Sequence, residues 1–141
     1  MSKVPFEKEM QNMIMVLHKR ITVQIKEVVL SEGVTPFQYD MLLLIKSGVQ
    51  VSVTELAKEM GVGLSSITPV ITRLQNLNLV YRYHSEKDRR KVIMEITEKG
   101  DHIIKAINEK MDHTMKHLFS NYQEEEQEQW LVLCRKLILN R

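Results

Sequence analysis

Apolar side chains recur every three or four residues along most of the chain, and this spacing predicts amphipathic helices. The first helix begins at Phe6 and extends to about residue 30. Thr35-Pro36 is a strong helix start and predicts a second helix over 36–46. The same spacing predicts four further helices, which cover 55–60 with Thr54 as the cap, Leu64–Asn76, about 98–119 and about 124–138.

Two short stretches alternate apolar and polar residues, as is typical of β-strands. Residues 79–84 and 91–96 alternate in this way, and the fully polar turn at 85–90 joins them. They predict an antiparallel hairpin with a charged tip. Residues 51–53 are too few to form a strand alone, but they could pair as an edge strand. The predicted fold is therefore mainly α with a small β-hairpin wing.

The third and fourth helices, joined by the glycine turn at 61–63, have the pattern of a helix-turn-helix. Ala57 is small at the point where these two helices would cross. The outer face of the fourth helix is polar and uncrowded, so it suits a DNA major groove about 12 Å wide. The predicted DNA-binding residues of this face are Ser65, Ser66, Thr68, Pro69, Thr72 and Arg73.

Two features of this face leave alternatives open. The hydroxyl groups could bond bases or phosphates, and Arg73 could bond a guanine or a phosphate. Pro69 is expected in the first turn of the helix, where few backbone amides have an internal partner. Either the proline is simply tolerated there, or its ring contacts a thymine methyl group.

The hairpin that follows carries positive charge at its tip. The predicted DNA-binding residues there are Lys87, Arg89, Arg90 and Lys91. A hairpin directly after a helix-turn-helix is expected to lie along the DNA backbone, with one arginine in the minor groove. Phosphate would repel Asp88, so this carboxylate is expected to orient Arg90 or Arg73 through a charge-assisted hydrogen bond. Residues 61–91 hold six basic and two acidic residues, whereas the net charge of the whole chain is only +2. The positive charge is therefore concentrated in the predicted DNA-binding segment.

Composition argues against several other classes of protein. Apolar residues make up 43% of the chain and charged residues 27%, and no apolar run reaches the roughly 18 residues of a membrane helix. The N-terminus lacks the apolar run of a signal peptide. The single cysteine excludes an intrachain disulfide, so a cytoplasmic location is expected. No phosphate-binding loop or nucleophile elbow indicates an enzyme, and no cofactor is expected.

The terminal helices are long for a chain of 141 residues. A monomer of this size cannot bury all of their apolar stripes. Burial against a second copy is the simplest remedy, so the pattern predicts a homodimer.

Six segments stand in one order and at the separations typical of one family. They are Thr35-Pro36-Phe37-Gln38-Tyr39, Thr54-Glu55-Leu56-Ala57, Leu64-Ser65-Ser66-Ile67-Thr68-Pro69-Val70-Ile71-Thr72-Arg73-Leu74, Leu79-Val80, Asp88-Arg89-Arg90 and Ile96-Thr97-Glu98-Lys99-Gly100. Each segment alone is a weak signal. Together they resemble the MarR family of bacterial regulators.

The resemblance implies one domain over 1–141, a winged helix-turn-helix with long N- and C-terminal dimerisation helices. Residues 34–99 would form the DNA-binding lobe, and residues 1–33 and 100–141 the dimerisation helices. It also implies a triangular homodimer, joined by the first, fifth and sixth helices, that binds palindromic operators in double-stranded DNA. Such regulators most often repress transcription, and a small ligand or an oxidant releases them from the operator.

The effector site is less defined. The family's usual ligand pocket lies between the dimerisation helices and the DNA-binding lobe. Met13, Phe37, Tyr39 and Met41 could line it, or they could be plain core. The pair Thr68-Pro69 resembles a branch of redox sensors that use a cysteine near the N-terminus, but residues 1–30 contain none. The cysteine at 134 is expected to be a buried, inert core residue.

Two alternative functions use the same fold. His113 and His117 are four residues apart and share a helix face, so they could bind a regulatory metal. However, Gln38 stands where a further histidine ligand would be needed, and no cysteine is near. A winged-helix dimer could also act as a protein adaptor without binding DNA, although the basic wing argues against this.

Overall fold

The computed structural model describes residues 4–48 and 51–139. In chain order, the elements of these residues are α1 (Phe6–Ser31), α2 (Pro36–Ser47), β1 (Val51–Ser52), α3 (Val53–Glu59), α4 (Leu64–Asn76), β2 (Val80–His84), β3 (Val92–Ile96), α5 (Glu98–Leu118) and α6 (Glu124–Leu139). The outer limits of the predicted domain, residues 1 and 141, lie outside the described residues. Among these residues, no single helix has the length and apolar composition of a membrane span. Only α1 and α2 together meet those criteria, across a bend of 78°.

The helix starts follow local capping, with one correction. Thr35 caps α2 as predicted, and its hydroxyl oxygen accepts a hydrogen bond of 3.2 Å from the Gln38 amide. The prediction that Thr54 caps α3 is wrong, because Ser52 does so. The Ser52 hydroxyl accepts from the Glu55 amide, and the Ser52 amide donates to the Glu55 carboxylate at 2.8 Å. This capping box draws Val53 out of the predicted strand and into the helix.

The three strands form one antiparallel sheet in the order β1-β3-β2. Val51 pairs with Met94, so the predicted edge strand is present. The predicted hairpin is also present, with β2 and β3 in register from Val80 opposite Ile96 to the base of the tip. Ile93 and Met94 are consecutive residues of β3 and point to opposite faces of the sheet, yet both are buried, so burial along β3 does not follow a simple alternation.

One apolar core joins α2, α3, α4 and the sheet to the end of α1 and the first half of α5. Its fully buried residues include Val29, Met41, Leu42, Leu56, Ile67, Ile71, Leu74, Met94, Ile104 and Ile107. Ile67, Ile71 and Leu74 lie at helical spacing along α4, so they hold one face of that helix against the core. The opposite face of α4 must therefore point outward.

The first and last helices, α1 and α6, are called the terminal helices, and they contribute little to this core. Within the described residues, α6 buries no side chain, and Val29 is the only buried residue of α1. Phe6 on α1 and Leu137 on α6 are 69% and 72% exposed. Within a single chain, the end of α1 packs on the core, but much of the apolar surface of α1 and α6 remains exposed.

A tight joint connects the end of α4 to the start of α5. The Thr97 hydroxyl donates to the carbonyl oxygen of Asn78 at 2.7 Å and accepts from the Gly100 amide at 3.0 Å. The Lys99 ammonium donates to the carbonyl oxygen of Leu77 at 2.9 Å. A Cβ atom on Gly100 would collide with the carbonyl oxygen of Leu79. The helix-turn-helix is thus bonded directly to the long helix that leaves it.

Candidate nucleic-acid interface

The outer face of α4 is open. All six predicted residues of this helix are exposed in the single chain: Ser65, Ser66, Thr68, Pro69, Thr72 and Arg73. Short polar side chains occupy most of the face, and Arg73 is its single long cation. Because these side chains are short, a bound molecule can approach the backbone of α4 closely.

The hydroxyl groups on this face are not equivalent. The Thr68 hydroxyl donates to the carbonyl oxygen of Leu64 at 2.7 Å, and the Thr72 hydroxyl donates to that of Thr68 at 3.0 Å. While these bonds hold, both threonines can accept a hydrogen bond but cannot donate one. They therefore suit amino groups of bases better than phosphate oxygens. Ser65 and Ser66 have no side-chain partner within 4–48 and 51–139, so they remain free to donate.

Pro69 lies deeper in α4 than predicted. The helix begins at Leu64 with Gly63 as its N-cap, so Pro69 is inside the helix rather than in its first turn. Without an N–H, Pro69 leaves the carbonyl oxygen of Ser65 without its intrahelical partner. Ser65 is exposed, so the missing hydrogen bond lies on the outer face of α4. The proline therefore changes the hydrogen-bonding capacity of the outer face.

The tip of the wing is an ordered turn with its cations outward. The Asp88 carboxylate accepts from the backbone amide of Arg90 at 3.1 Å and from its Nε at 3.2 Å. The structure thus pairs Asp88 with Arg90 and not with Arg73, because Arg90 lies in the same turn. The Arg90 side chain is 93% exposed, and Lys87, Arg89 and Lys91 are exposed too.

Sequence reasoning missed a carboxylate that ties the two wing strands together. The Tyr81 and Tyr83 hydroxyls both donate to Glu95, the second at 2.5 Å, and the tyrosine rings stack at 6.1 Å. The hydrogen bonds from Tyr81 and then Tyr83 hold the pKa of Glu95 below its usual range. The bond to Glu95 raises the pKa of Tyr81. Cross-strand pairing of Tyr81 with Glu95 in the hairpin could have revealed this group.

A cleft of about 570 Å³ separates the wing from the helix-turn-helix. Its walls come from α3, α4, β2 and the base of the wing tip, and they include Thr54, Thr68, Arg82, Arg90 and Lys91. Arg82 and Thr54 were not among the predicted site residues. The charge of Arg82 was visible in the sequence, but its position facing α4 depends on how the sheet packs.

The predicted effector pocket is not formed as expected. Met41 is fully buried, because the inward face of α2 lies on the core, whereas Met13 is 64% exposed on α1. The Tyr39 hydroxyl donates to the side-chain oxygen of Asn108 at 2.9 Å. Phe37 lines an open cleft between α2 and α3 that contains none of the other three residues. The single chain therefore does not bring the four predicted residues into one cavity.

The expectation that Cys134 is buried is wrong for the single chain. This cysteine is exposed, and α6 has no buried residue within the single chain. His113 and His117 line a cleft of about 600 Å³ between α1 and α5, together with Arg20 and Gln24. Among the described residues, no group of three or more His, Cys, Asp or Glu side chains is placed to hold a metal ion.

A helix-turn-helix followed by a sheet with a projecting hairpin defines a winged helix-turn-helix protein. Residues 34–92 match the sequence profile of the MarR family. The HTH-type transcriptional repressor MdtR of Bacillus subtilis is 33% identical over 93 residues, which cover 66% of this chain and 60% of MdtR. The chain thus spans less than two thirds of the length of this curated relative.

Solved structures extend the likeness to nearly the full chain. The crystal structure of YusO from Bacillus subtilis is 30% identical, with a TM-score of 0.83 and 94% of each chain covered. A mutant of S. aureus MepR bound to an oligodeoxyribonucleotide shares the fold at 19% identity. Its TM-score is 0.73, with 96% of this chain and 97% of that chain covered. The chain belongs to the MarR family.

Proposed function

We propose that the protein regulates transcription by binding specific sequences in double-stranded DNA. The observation that carries this proposal is the outer face of α4, which is exposed and polar and lies beside a wing whose cations point outward. An exposed helix of this kind fits the major groove, and the adjacent hairpin reaches the neighbouring backbone and minor groove. The name of MdtR, a repressor, favours repression as the outcome of binding.

The contacts divide into base reading and phosphate binding. Thr68 and Thr72 accept hydrogen bonds from base amino groups, since their own protons are used within the helix. Arg73 has no side-chain partner among residues 4–48 and 51–139 and bonds a guanine or a phosphate. The wing cations, with Arg90 oriented by Asp88, neutralise phosphates and supply most of the affinity. Binding therefore weakens steeply as salt increases.

The DNA-binding unit in this proposal is a homodimer formed through α1, α5 and α6. The exposed apolar side chains of α1 and α6 in the single chain support it, because water-exposed stripes of this extent are unusual in a monomer. Two-fold symmetry then presents two α4 helices to half-sites about 34 Å apart on a palindromic operator. A small effector releases the DNA only if its affinity differs between two conformations of the dimer, which hold the α4 helices at different spacings. The cytoplasm is the proposed location.

Selection of bound sequences from a random duplex library tests the proposal directly. We expect the purified protein to enrich a palindromic sequence and to bind it more weakly as salt rises. Replacing Arg90 with alanine should cost about 1–3 kcal/mol of DNA-binding free energy without unfolding the protein. Lys26→Ala, which removes an exposed cation from α1, is the control, with sedimentation to show that it forms the same dimer as the wild type. Failure of the wild-type protein to bind any duplex at low salt would contradict the proposal and favour a protein-adaptor role.

A further inference from the structure

The cleft between α4 and the wing has the charge of an anion site. Its lining holds three cationic side chains, Arg82, Arg90 and Lys91, and one carboxylate, Glu55. Glu55 is already engaged, because it accepts hydrogen bonds from the hydroxyl and the amide of Ser52. These bonds, and to a lesser extent the nearby Lys91 ammonium, lower the pKa of Glu55. Arg90 is paired with Asp88, so Arg82 and Lys91 are the cations of this cleft that have no carboxylate partner among residues 4–48 and 51–139.

Arg82 is the residue that closes the cleft from the sheet side. It pairs in register with Met94, so it lies on the same face of the sheet as that buried residue and turns toward α4. Leu64 and Thr68 of α4 line the same cleft. Arg82 is exposed, and its guanidinium has no ion-pair or hydrogen-bond partner within 4–48 and 51–139. An unpaired arginine inside a concave surface is available to bind an anion.

DNA geometry indicates which anion this is. In a duplex, each major groove is separated from the next minor groove by a single sugar-phosphate strand. If α4 occupies the major groove and the wing tip reaches the minor groove, that strand must cross the gap between them. The gap is the cleft that Arg82 lines. Thr54, which is exposed at the start of α3, lines the same cleft.

We infer that Arg82 binds a backbone phosphate of the DNA strand that passes between α4 and the wing, with Lys91 and Thr54 as its neighbours. This inference rests on the proposed function and adds a residue that positions the duplex without reading its sequence. Phosphate contacts fix register and orientation, whereas base contacts select the sequence. Arg82 therefore contributes equally to binding of any duplex.

The test is the salt dependence of binding to fluorescein-labelled duplexes of two unrelated sequences, measured by fluorescence anisotropy. We expect Arg82→Gln to weaken binding of both duplexes about tenfold and to reduce the slope of log affinity against log salt by about two, one for each subunit of the proposed dimer. Arg82→Lys should keep most of the slope, because it keeps the charge. Arg20→Gln makes the same chemical change in the separate cleft between α1 and α5; provided that sedimentation shows the variant to be a dimer like the wild type, it should leave affinity and slope unchanged. Because Arg82 is exposed, thermal melting should confirm that all variants fold.

The outcomes separate the two proposals. If the wild-type protein binds neither duplex, the proposed function fails. If the wild type binds and Arg82→Gln keeps its affinity and slope, the function stands and the inference about Arg82 is overturned. If Arg82→Gln weakens one duplex much more than the other, Arg82 reads bases, and the assignment to a phosphate is also overturned.

Discussion

The winged helix-turn-helix lobe and the terminal helices α1 and α6 have similar fractions of apolar residues, but they bury them to different extents. In the lobe, α2, α3, α4 and the sheet bury their apolar faces against one another, and side chains such as Leu74 are fully enclosed. In α1 and α6, side chains such as Phe6 and Leu137 remain exposed. The lobe is therefore complete within one chain, whereas the terminal helices need another surface.

This difference shows how one short chain separates two tasks. A core within one chain, to which α1 contributes only its end, holds the outer face of α4 in a fixed orientation. The terminal helices then set where two such lobes lie relative to each other in the proposed dimer. The joint at Thr97 and Gly100 connects the two regions, because it bonds the start of α5 to the end of α4.

The largest effect is expected from a charge in the apolar stripe of α6. Leu137→Glu should dissociate the dimer and cost about 3–6 kcal/mol per dimer, since burying a leucine contributes about 1.5–3 kcal/mol in each subunit. Sedimentation equilibrium should show a monomer where the wild type is a dimer. Lys136→Glu places the same side chain at a position of α6 that is already charged and should leave the dimer intact. If the wild-type protein is itself a monomer, the claim that α1 and α6 need a second chain is wrong.

The second effect concerns the core of the lobe. Leu74→Ala should lower the free energy of unfolding by about 2–5 kcal/mol, because the site is fully buried and a cavity remains. The dimer dissociation constant should not change, since this core lies within one chain. Urea unfolding and sedimentation measure the two quantities separately, with the exposed Asn76→Ala as the control. A change in dimerisation as large as that of Leu137→Glu would show that the regions are not independent.

The third effect addresses the joint. Gly100→Ala should destabilise the protein by about 1–3 kcal/mol, because the added Cβ collides with the carbonyl oxygen of Leu79 and forces the start of α5 away from α4. In Gly63→Ala the new Cβ would meet only the Ser65 hydroxyl oxygen, at 3.8 Å, so a much smaller loss is expected. Thermal unfolding measures both. Equal losses in the two variants would argue against a close joint.

The smallest effect is a pH dependence at the same end of α5. Hydrogen bonds from Lys105 and then Lys46 lower the pKa of Asp101 from 3.8 to about 2. A lowered folded-state pKa contributes stability above about pH 4, and this contribution is lost as the pH falls toward 2. The stability difference between wild type and Asp101→Asn should therefore shrink over this range. Asp112→Asn, an exposed residue further along α5, should show no such trend in urea unfolding between pH 5 and about pH 2.

Much of the fold was predictable because it depends on short-range contacts. Thr35-Pro36 marks the start of α2, and the bounds of α4, Leu64–Asn76, agree with the apolar spacing. The wing hairpin was predictable for the same reason, since a polar turn between two alternating segments favours antiparallel pairing. The cap of α3 was predicted two residues late, because Ser52 and Thr54 are both capable caps. Pairing of Ser52 with Ile93 ends the strand at Ser52 and leaves that residue as the cap.

The sequence by itself determined which segments are helical, which face of α4 is polar and where the positive charge is concentrated, because periodicity and composition encode these directly. Only the tertiary structure decided which side chains meet. It placed Arg82 across a cleft from α4, paired Asp88 with Arg90, buried Met41 and left Cys134 exposed. The physical reason is that helices and hairpins form through neighbours a few residues away, whereas clefts and cores depend on the relative packing of elements distant in sequence.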